Sequence, residues 1–114
     1  MCELLIMFTH QVYFSPVNVV SHESVVEIVD RFARDEMKRS QLVRYELSRF
    51  TNERCFPDLY DYQFTANYPA EAAQNAAIKD LGSRYKDEPH ASLMGVVKDL
   101  EVAFSERIEE RCGT

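Results

Sequence analysis

Residues 60–68 read YDYQFTANY and residues 69–77 read PAEAAQNAA, and the change of pattern between them decides the fold. In the first segment apolar and polar side chains alternate, which is typical of a strand with one buried face. In the second segment Pro69 suits a first helical turn, and the alanines have a high helix propensity. The sequence therefore predicts a strand over 60–68 and, directly after it, a helix that closes at residues 86–89.

Three further strands are predicted on either side of this unit. Alternation of apolar and polar residues predicts strands over 3–15 and 42–50. Residues 91–97 form a short apolar run that is also predicted to be a strand. The segment 51–58 lacks such a pattern and is predicted to be the loop of an antiparallel hairpin.

A second helix and an ambiguous tail complete the chain. Apolar residues recur at spacings of three and four from Val25 to Ala33, which predicts an amphipathic helix over 22–38. Ser21 is a suitable N-cap, as is Ser24. The tail, 100–111, fits either a strand or a helix, and we expect a short helix or an arm exchanged between two copies.

The predicted order is β-α-β-β-α-β within a single domain over residues 1–114. Right-handed crossovers place both helices on one face of a four-stranded antiparallel sheet, which is an α+β architecture. The first and last predicted strands carry apolar residues of both parities, among them Leu5, Met7, Leu93 and Val97. We therefore expect a second apolar sheet face, which a two-fold homodimer would bury.

Two short motifs resemble those of a known superfamily. Residues 9–17, THQVYFSPV, resemble the His-x-Val-x-Phe opening strand of the stress-responsive dimeric α/β barrel proteins. Residues 85–90, YKDEPH, are similar to their later Tyr/His-Pro-x-His segment, although His90 follows the proline directly and the second His-Pro pair is missing. The ending, 90–108, is similar to an uncharacterised branch of the same superfamily.

The resemblance implies a ferredoxin-like, dimeric α/β barrel fold over nearly the whole chain. That superfamily includes cofactor-independent monooxygenases, lactone isomerases, polyketide cyclases, haem-degrading enzymes and many members without a known activity. The resemblance therefore supports the fold and a homodimer, and it does not assign a reaction.

Composition narrows the class of protein and of partner. The 114 residues are 46% hydrophobic and 28% charged, as is usual for a globular protein, and the net charge of −6 argues against nucleic acid or an anionic membrane as partner. The three cysteines are widely spaced and form no CxxC pair, which favours reduced thiols in the cytoplasm. The apolar start lacks the basic region of a signal peptide and is too short to span a bilayer.

His10 is the first candidate for chemistry, because it lies on the apolar parity of a strand where a neutral imidazole can act as acid, base or ligand. The alternative is a core histidine bonded to a carbonyl or a tyrosine. Tyr62 is its candidate catalytic partner. Candidate ligand-binding residues are phenols, a cation and two residues near the last predicted strand: Tyr13, Tyr45, Arg49, Tyr60, His90 and Met94. We expect no metal ion and no cofactor.

Three functions follow from these candidates. The first is binding of a small apolar or aromatic molecule, either between sheet and helices or between the two sheets of a dimer. The second is a cofactor-independent enzyme of the monooxygenase, isomerase or cyclase type, in which His10 and a tyrosine transfer a proton. The third is a purely structural dimer. The surroundings of His10 discriminate between them, since catalysis needs that residue to face a pocket.

Overall fold

A computed structural model describes residues 7–17, 19–51 and 60–108. In these ranges the chain forms four strands and three helices: β1 (Phe8–Pro16), α1 (His22–Arg39), β2 (Arg44–Arg49), β3 (Tyr62–Tyr68), α2 (Glu71–Ser83), α3 (His90–Val96) and β4 (Val97–Glu106). The strands pair as one antiparallel sheet in the spatial order β2-β3-β1-β4. The predicted α+β fold with a four-stranded antiparallel sheet is therefore confirmed.

The last strand was predicted in the wrong place. Residues 90–96 form the helix α3, and the strand that completes the sheet is β4, in the segment expected to be a helix or an exchanged arm. The short apolar run of α3 has no alternation, so its periodicity cannot separate strand from helix. β4 instead alternates between apolar and polar residues. It pairs with β1 from Phe8 opposite Glu106 to Phe14 opposite Leu100. This ladder provides hydrogen-bond partners for the backbone N–H and C=O groups of the segment, which in a helix would have to pair within the segment itself.

The other elements lie close to their predicted positions. The helix predicted over 22–38 is α1, and the strands predicted over 42–50 and 60–68 are β2 and β3. α2 ends at Ser83, before the predicted closing segment. The predicted loop lies almost wholly outside the described residues, as do the first residues of the strand predicted over 3–15.

Local chemistry fixes the ends and the buried stripe of α1. The Ser21 hydroxyl accepts a hydrogen bond of 3.2 Å from the Ser24 backbone N–H, which caps the first turn. Lys38 and Arg39 lie in the last turn, where positive charge suits the helix dipole. The stripe packs into the core, whose buried apolar residues are Phe14, Val25, Val29, Phe32, Ala33, Leu42, Tyr62, Phe64, Ala66, Tyr68, Ala73 and Ala77.

No described helix has the length and apolar character needed to cross a bilayer.

The sheet has an inner face toward the helices and an outer face away from them. Side chains alternate along each strand, so direct cross-strand partners share a face. The inner face carries His10, Val12, Phe14, Tyr45, Leu47, Tyr62, Phe64, Ala66, Leu100, Val102 and Phe104. The small side chains Ala73 and Ala77 allow α2 to approach this face closely, and both are buried.

The outer face is polar over the described strands, and the expectation of a second apolar face is wrong there. It carries Thr9, Gln11, Tyr13, Ser15, Arg44, Glu46, Ser48, Gln63, Thr65, Asn67, Asp99, Glu101, Ala103 and Ser105. Of the residues behind the expectation, Leu93 belongs to α3 and Val97 packs against the core. Met7 precedes β1 and is buried, whereas Leu5 lies outside the described residues. The buried Thr9 hydroxyl donates a 2.9 Å hydrogen bond to Asn67 Oδ1, which satisfies two polar groups on this face.

Candidate functional site

A cavity of about 410 Å³ lies between the inner face of the sheet and the three helices. It is lined by His10, Val12, Phe14, Val29, Phe32, Phe64, Ile78, Leu81, Gly82, Tyr85, His90, Leu93, Met94, Val97, Leu100, Val102 and Phe104. Its size falls within the range of pockets that bind small organic ligands. Of these lining side chains, only His10, Tyr85 and His90 carry polar atoms that form ordinary hydrogen bonds.

The pairing of β1 with the edge strand β4 builds one wall of the cavity. This ladder places Phe104 opposite His10 and Val102 opposite Val12. The helices cover β4 only partly, because Val102 remains 46% exposed and Phe104 54% exposed although both side chains line the cavity. The cavity is therefore open on the β4 side.

His10 faces this cavity from a central strand of the sheet. Its ring stacks on Phe104 with the centroids 5.1 Å apart and the planes 9° from parallel. The imidazole forms no hydrogen bond to another described residue. Burial lowers the pKa of His10 to about 4, so the ring is neutral near pH 7. A neutral imidazole presents one hydrogen-bond donor and one acceptor to whatever occupies the cavity.

His90 reaches the same cavity from the first residue of α3. Its ring centroid lies 5.1 Å from that of Phe32, with the planes tilted by 48°. Burial lowers the pKa of His90, the positive charge of Arg84 lowers it further, and a hydrogen bond to the Leu81 backbone opposes both effects. The Nδ1 atom is buried without a hydrogen-bond partner.

Of the other predicted site residues, Met94 lines the cavity and Tyr62 does not. Met94 lines it from α3. Tyr62 lies on the inner face but is not among the lining residues; its hydroxyl pairs with His22 Nδ1 at 2.8 Å, and its ring stacks on Phe14. The structure therefore brings His10, His90 and Met94 together and gives Tyr62 a different partner.

The remaining four candidates lie outside the cavity lining. The Tyr45 hydroxyl donates a 2.6 Å hydrogen bond to Asp30 Oδ1 on α1. Tyr13 belongs to the outer face, and the Tyr60 side chain hydrogen bonds to the outer-face residue Glu101. Arg49 is exposed at the end of β2.

Several cavity residues were missed by the sequence analysis. The missed apolar residues belong to the tail and are Leu100, Val102 and Phe104. Their alternation indicated a strand, but apolar residues in the same segment also fit a helical spacing. Tyr85 follows α2 and also lines the cavity, with 51% of its surface exposed. Within the described ranges, no three His, Cys, Asp or Glu side chains are grouped as metal ligands.

Comparison with known proteins places this geometry among solved folds. No protein-family model matches the sequence, and a search of curated proteins gives no significant match. Structures of the same shape include the protein At3g17210 from Arabidopsis thaliana, with a TM-score of 0.71 and 13% identity over 92% of this chain and 99% of that one. A dimeric ferredoxin-like protein of unknown function from Jannaschia sp. CCS1 aligns with a TM-score of 0.61 and 15% identity, covering 89% and 99%. The chain has the ferredoxin-like fold.

The same fold occurs in an enzyme. A variant of SnoaB, a cofactor-independent oxygenase from Streptomyces nogalater, aligns with a TM-score of 0.61 and 15% identity over 92% of this chain and 94% of that one. At this level of identity the likeness concerns the ferredoxin-like fold alone, because one fold supports many functions. The resemblance to the stress-responsive proteins stays a prediction.

The depressed pKa of His10 predicts how stability depends on pH. Because the ordinary pKa is 6.5 and the folded value is about 4, the unfolded chain binds a proton first as the pH falls. The His10 contribution to the free energy of unfolding is therefore present above pH 6.5 and is lost between pH 6.5 and 4, by about 3 kcal/mol at most. The substitution His10→Gln removes this pH-dependent contribution and leaves the other titrating groups in place.

Urea denaturation of both proteins at several pH values from 4 to 7 measures the difference. We expect the wild-type stability to fall more steeply than that of the variant across this window. NMR titration of the imidazole signals checks the same point directly. Parallel stability curves together with an ordinary His10 pKa near 6.5 would show that this side chain is solvated rather than enclosed.

Proposed function

We propose that the protein binds a small, mostly apolar molecule of about the size of a two-ring aromatic compound in the cavity between sheet and helices. The observation that carries the proposal is a cavity of about 410 Å³ with an almost wholly apolar lining and the neutral His10 in its wall. Filling such a space removes apolar surface from water at about 25 cal/mol per Å², which favours an apolar guest.

The polar groups of the cavity favour a particular chemistry at one edge of that guest. His10 forms no hydrogen bond to another described residue, so its neutral imidazole offers a guest one donor and one acceptor. No carboxylate belongs to the lining, so a cationic ligand finds no counter-charge there. A neutral hydroxyl, as in a phenol or an enol, can donate to an imidazole nitrogen while its ring packs on Phe104.

The polar outer face argues for this location over a site between two sheets. A pocket that buries an apolar molecule needs apolar walls, and the described outer face offers mainly amides, hydroxyls and charges. The inner-face cavity supplies apolar walls from every element except β2. We therefore place the ligand within one protomer.

A second candidate function is cofactor-independent proton transfer. Two observations favour it: a neutral His10 faces an apolar cavity, and SnoaB, an oxygenase that needs no cofactor, has the same fold. Against it, a base with a pKa of about 4 is weak at neutral pH, because general bases act best when their pKa lies near the working pH. Binding therefore ranks first.

Deuterium exchange tests the catalytic candidate. If His10 acts as a base on 2-tetralone, it takes an α-proton from carbon, the enolate forms, and a deuteron from D₂O is returned to the same carbon. NMR of 2-tetralone in D₂O would then show exchange at least ~10-fold faster than in buffer, as one general base supplies ~100-fold or more. His10→Gln should abolish this excess and retain binding, and an exchange rate equal to that of buffer would reject the enzyme.

We also propose a homodimer that pairs through the outer faces of two sheets. Several proteins of the same fold are described as dimeric. The outer face offers donors and acceptors such as Gln11, Gln63 and Thr65 for a polar, hydrogen-bonded interface. A dimer without any ligand binding would correspond to the purely structural function.

Sedimentation equilibrium tests this assembly. We expect a mass of twice the 13.3 kDa chain at micromolar concentration. Thr65→Arg places a charge on the outer face of the central strand β3, and we expect it to give a monomer. The matched control Glu27→Arg lies on the exposed side of α1 and should leave the mass unchanged. A monomeric wild-type protein would rule out the homodimer.

Cavity blocking tests the binding proposal. Gly82 of α2 lies at the cavity, and a Cβ added there has no heavy atom within 4 Å, so a larger side chain enters open space. We expect Gly82→Leu to weaken binding of 2-naphthol at least ~10-fold, as the loss of ~1.4 kcal/mol of apolar contact would. Isothermal titration calorimetry measures both affinities.

Gly95 provides a matched control, because it is also helical and also has open space around its Cβ position but does not line the cavity. Gly95→Leu should therefore bind 2-naphthol as the wild type does. Equal affinity in Gly82→Leu and the wild type would place the ligand elsewhere, and the absence of binding to the wild type would reject a site for small aromatic molecules.

A further inference from the structure

One guanidinium group joins the C-terminal ends of α1 and α2. Arg84 follows α2, and its Nε atom donates hydrogen bonds of 3.1 Å to both carboxylate oxygens of Asp80. Its Nη2 atom lies 3.6 Å from Glu36 and its Nη1 atom 3.8 Å from Asp35, and both of these residues belong to the end of α1. Carboxylates from two helices therefore surround one positive charge.

The buried carboxyl of Glu36 makes this junction depend on that charge. Glu36 is 3% exposed, and burial raises its pKa. The nearby charges of Asp35 and Asp80 raise this pKa further, whereas the charge of Arg84 lowers it. The negative ends of the two helix dipoles add repulsion of the same sign. A buried carboxylate that loses its cation is strongly destabilised, because no water screens it from the like charges around it.

Other titrating groups face the junction from the neighbouring elements. Arg39 on α1 is occupied by a 2.8 Å ion pair with Asp35. The buried Tyr68 of β3 has a pKa raised by burial and, to a lesser extent, by the charge of Glu36. On α3, the charge of Arg84 helps to lower the pKa of His90. The Arg84 guanidinium thus lies between α1, α2 and the start of α3.

The same end of α2 supplies part of the cavity wall. Leu81 lines the cavity just before Arg84, and Tyr85 lines it directly after. The Leu81 carbonyl accepts a 3.1 Å hydrogen bond from the Arg84 backbone N–H and a further one from the His90 ring. The His90 ring in turn packs on Phe32, which lines the cavity from α1. A displacement of the α2 end would therefore move several walls of the cavity together.

We propose that Arg84 is a positioning residue of the binding site: its guanidinium holds the ends of α1 and α2 together against the repulsion of their carboxylates, and this keeps the cavity in the shape that binds the ligand. Arg84 is not among the lining residues, so it acts through the residues on either side of it. The proposal rests on the proposed binding function and adds control by charge at a point outside the cavity.

Calorimetric titration with 2-naphthol at about pH 5.5 and about pH 8.5 tests this role. In Arg84→Gln the Glu36 carboxyl loses its cation, and it is neutral at the lower pH and charged at the higher one. We expect Arg84→Gln to bind ~10-fold or more weakly than the wild type at the higher pH and within ~2-fold of it at the lower pH. Comparison with the wild type at the same pH cancels any ionisation of the probe.

Two further variants separate charge at the junction from a general loss of stability. Combining Arg84→Gln with Glu36→Gln removes the buried charge together with its partner, and this double variant should bind like the wild type at both pH values. Arg34→Gln is the matched control, because Arg34 also pairs with a carboxylate four residues away, Asp30, but on the exposed side of a single helix. It should leave the affinity unchanged at both pH values.

Equal affinity of Arg84→Gln and the wild type at the higher pH, or an equal loss at both pH values, would overturn the positioning role and leave the binding function intact. Unfolding of Arg84→Gln at the higher pH alone is the same expected result in a stronger form. Unfolding at both pH values that Glu36→Gln does not rescue would overturn it.

A wild-type protein that does not bind 2-naphthol would reject the binding function, and NMR of the ligand-free protein then decides on Arg84 separately. The methyl signals of Leu81 and Leu93, which line the cavity, should shift between the two pH values in Arg84→Gln and stay in place in the double variant. Methyl signals that do not depend on pH in either variant would contradict the positioning role.

Discussion

The antiparallel ladder between β1 and β4 is the interaction on which the rest of this structure depends. It runs from Phe8 opposite Glu106 to Phe14 opposite Leu100, and it completes the sheet on the side that the helices leave partly open. The same register sets Phe104 against His10, which gives the imidazole an aromatic neighbour and a place in an apolar wall. Without this pairing, neither the cavity nor the depressed pKa of His10 would exist.

A second constraint fixes the opposite side of the cavity. Arg84 lies just after α2 and pairs with Asp80 of that helix. Its guanidinium also reaches α1, with Nη2 lying 3.6 Å from Glu36 and Nη1 lying 3.8 Å from Asp35. Glu36 is 3% exposed, and burial raises its pKa, so the nearby guanidinium offsets part of the cost of enclosing that carboxyl. This contact ties the ends of α1 and α2 together directly before the segment that supplies Tyr85 and His90 to the cavity.

The sequence was sufficient for the order of the elements from β1 to α2 and for the faces of the central strands, because periods of two and of 3.6 residues carry that information. It placed His10 on the apolar parity of β1, which is the face that lines the cavity. Register was not accessible in this way. Tyr62 has the same parity as Phe64, yet the ladder sets it opposite Phe14 rather than His10, and its hydroxyl binds His22.

The last strand shows a different limit. The apolar run of α3 and the alternation of β4 are adjacent, and each segment is short enough to fit either structure by its pattern. Pairing with β1 selects β4 as the strand, and that choice is tertiary. The misplaced strand also explains the wrong prediction for the outer face. Leu93 was counted as a strand residue of an apolar outer face, but it belongs to α3, and the described part of the sheet has no such face.

The central claim is that the inner-face cavity is the binding site, and a crystal structure of the protein with 6-bromo-2-naphthol tests it most directly. The account predicts anomalous bromine density between sheet and helices, with the naphthol ring against Phe104 and its hydroxyl within ~2.7–3.0 Å of an imidazole nitrogen of His10. Bromine density on the outer face of the sheet, or an inner-face cavity filled by side chains and free of ligand, would contradict it.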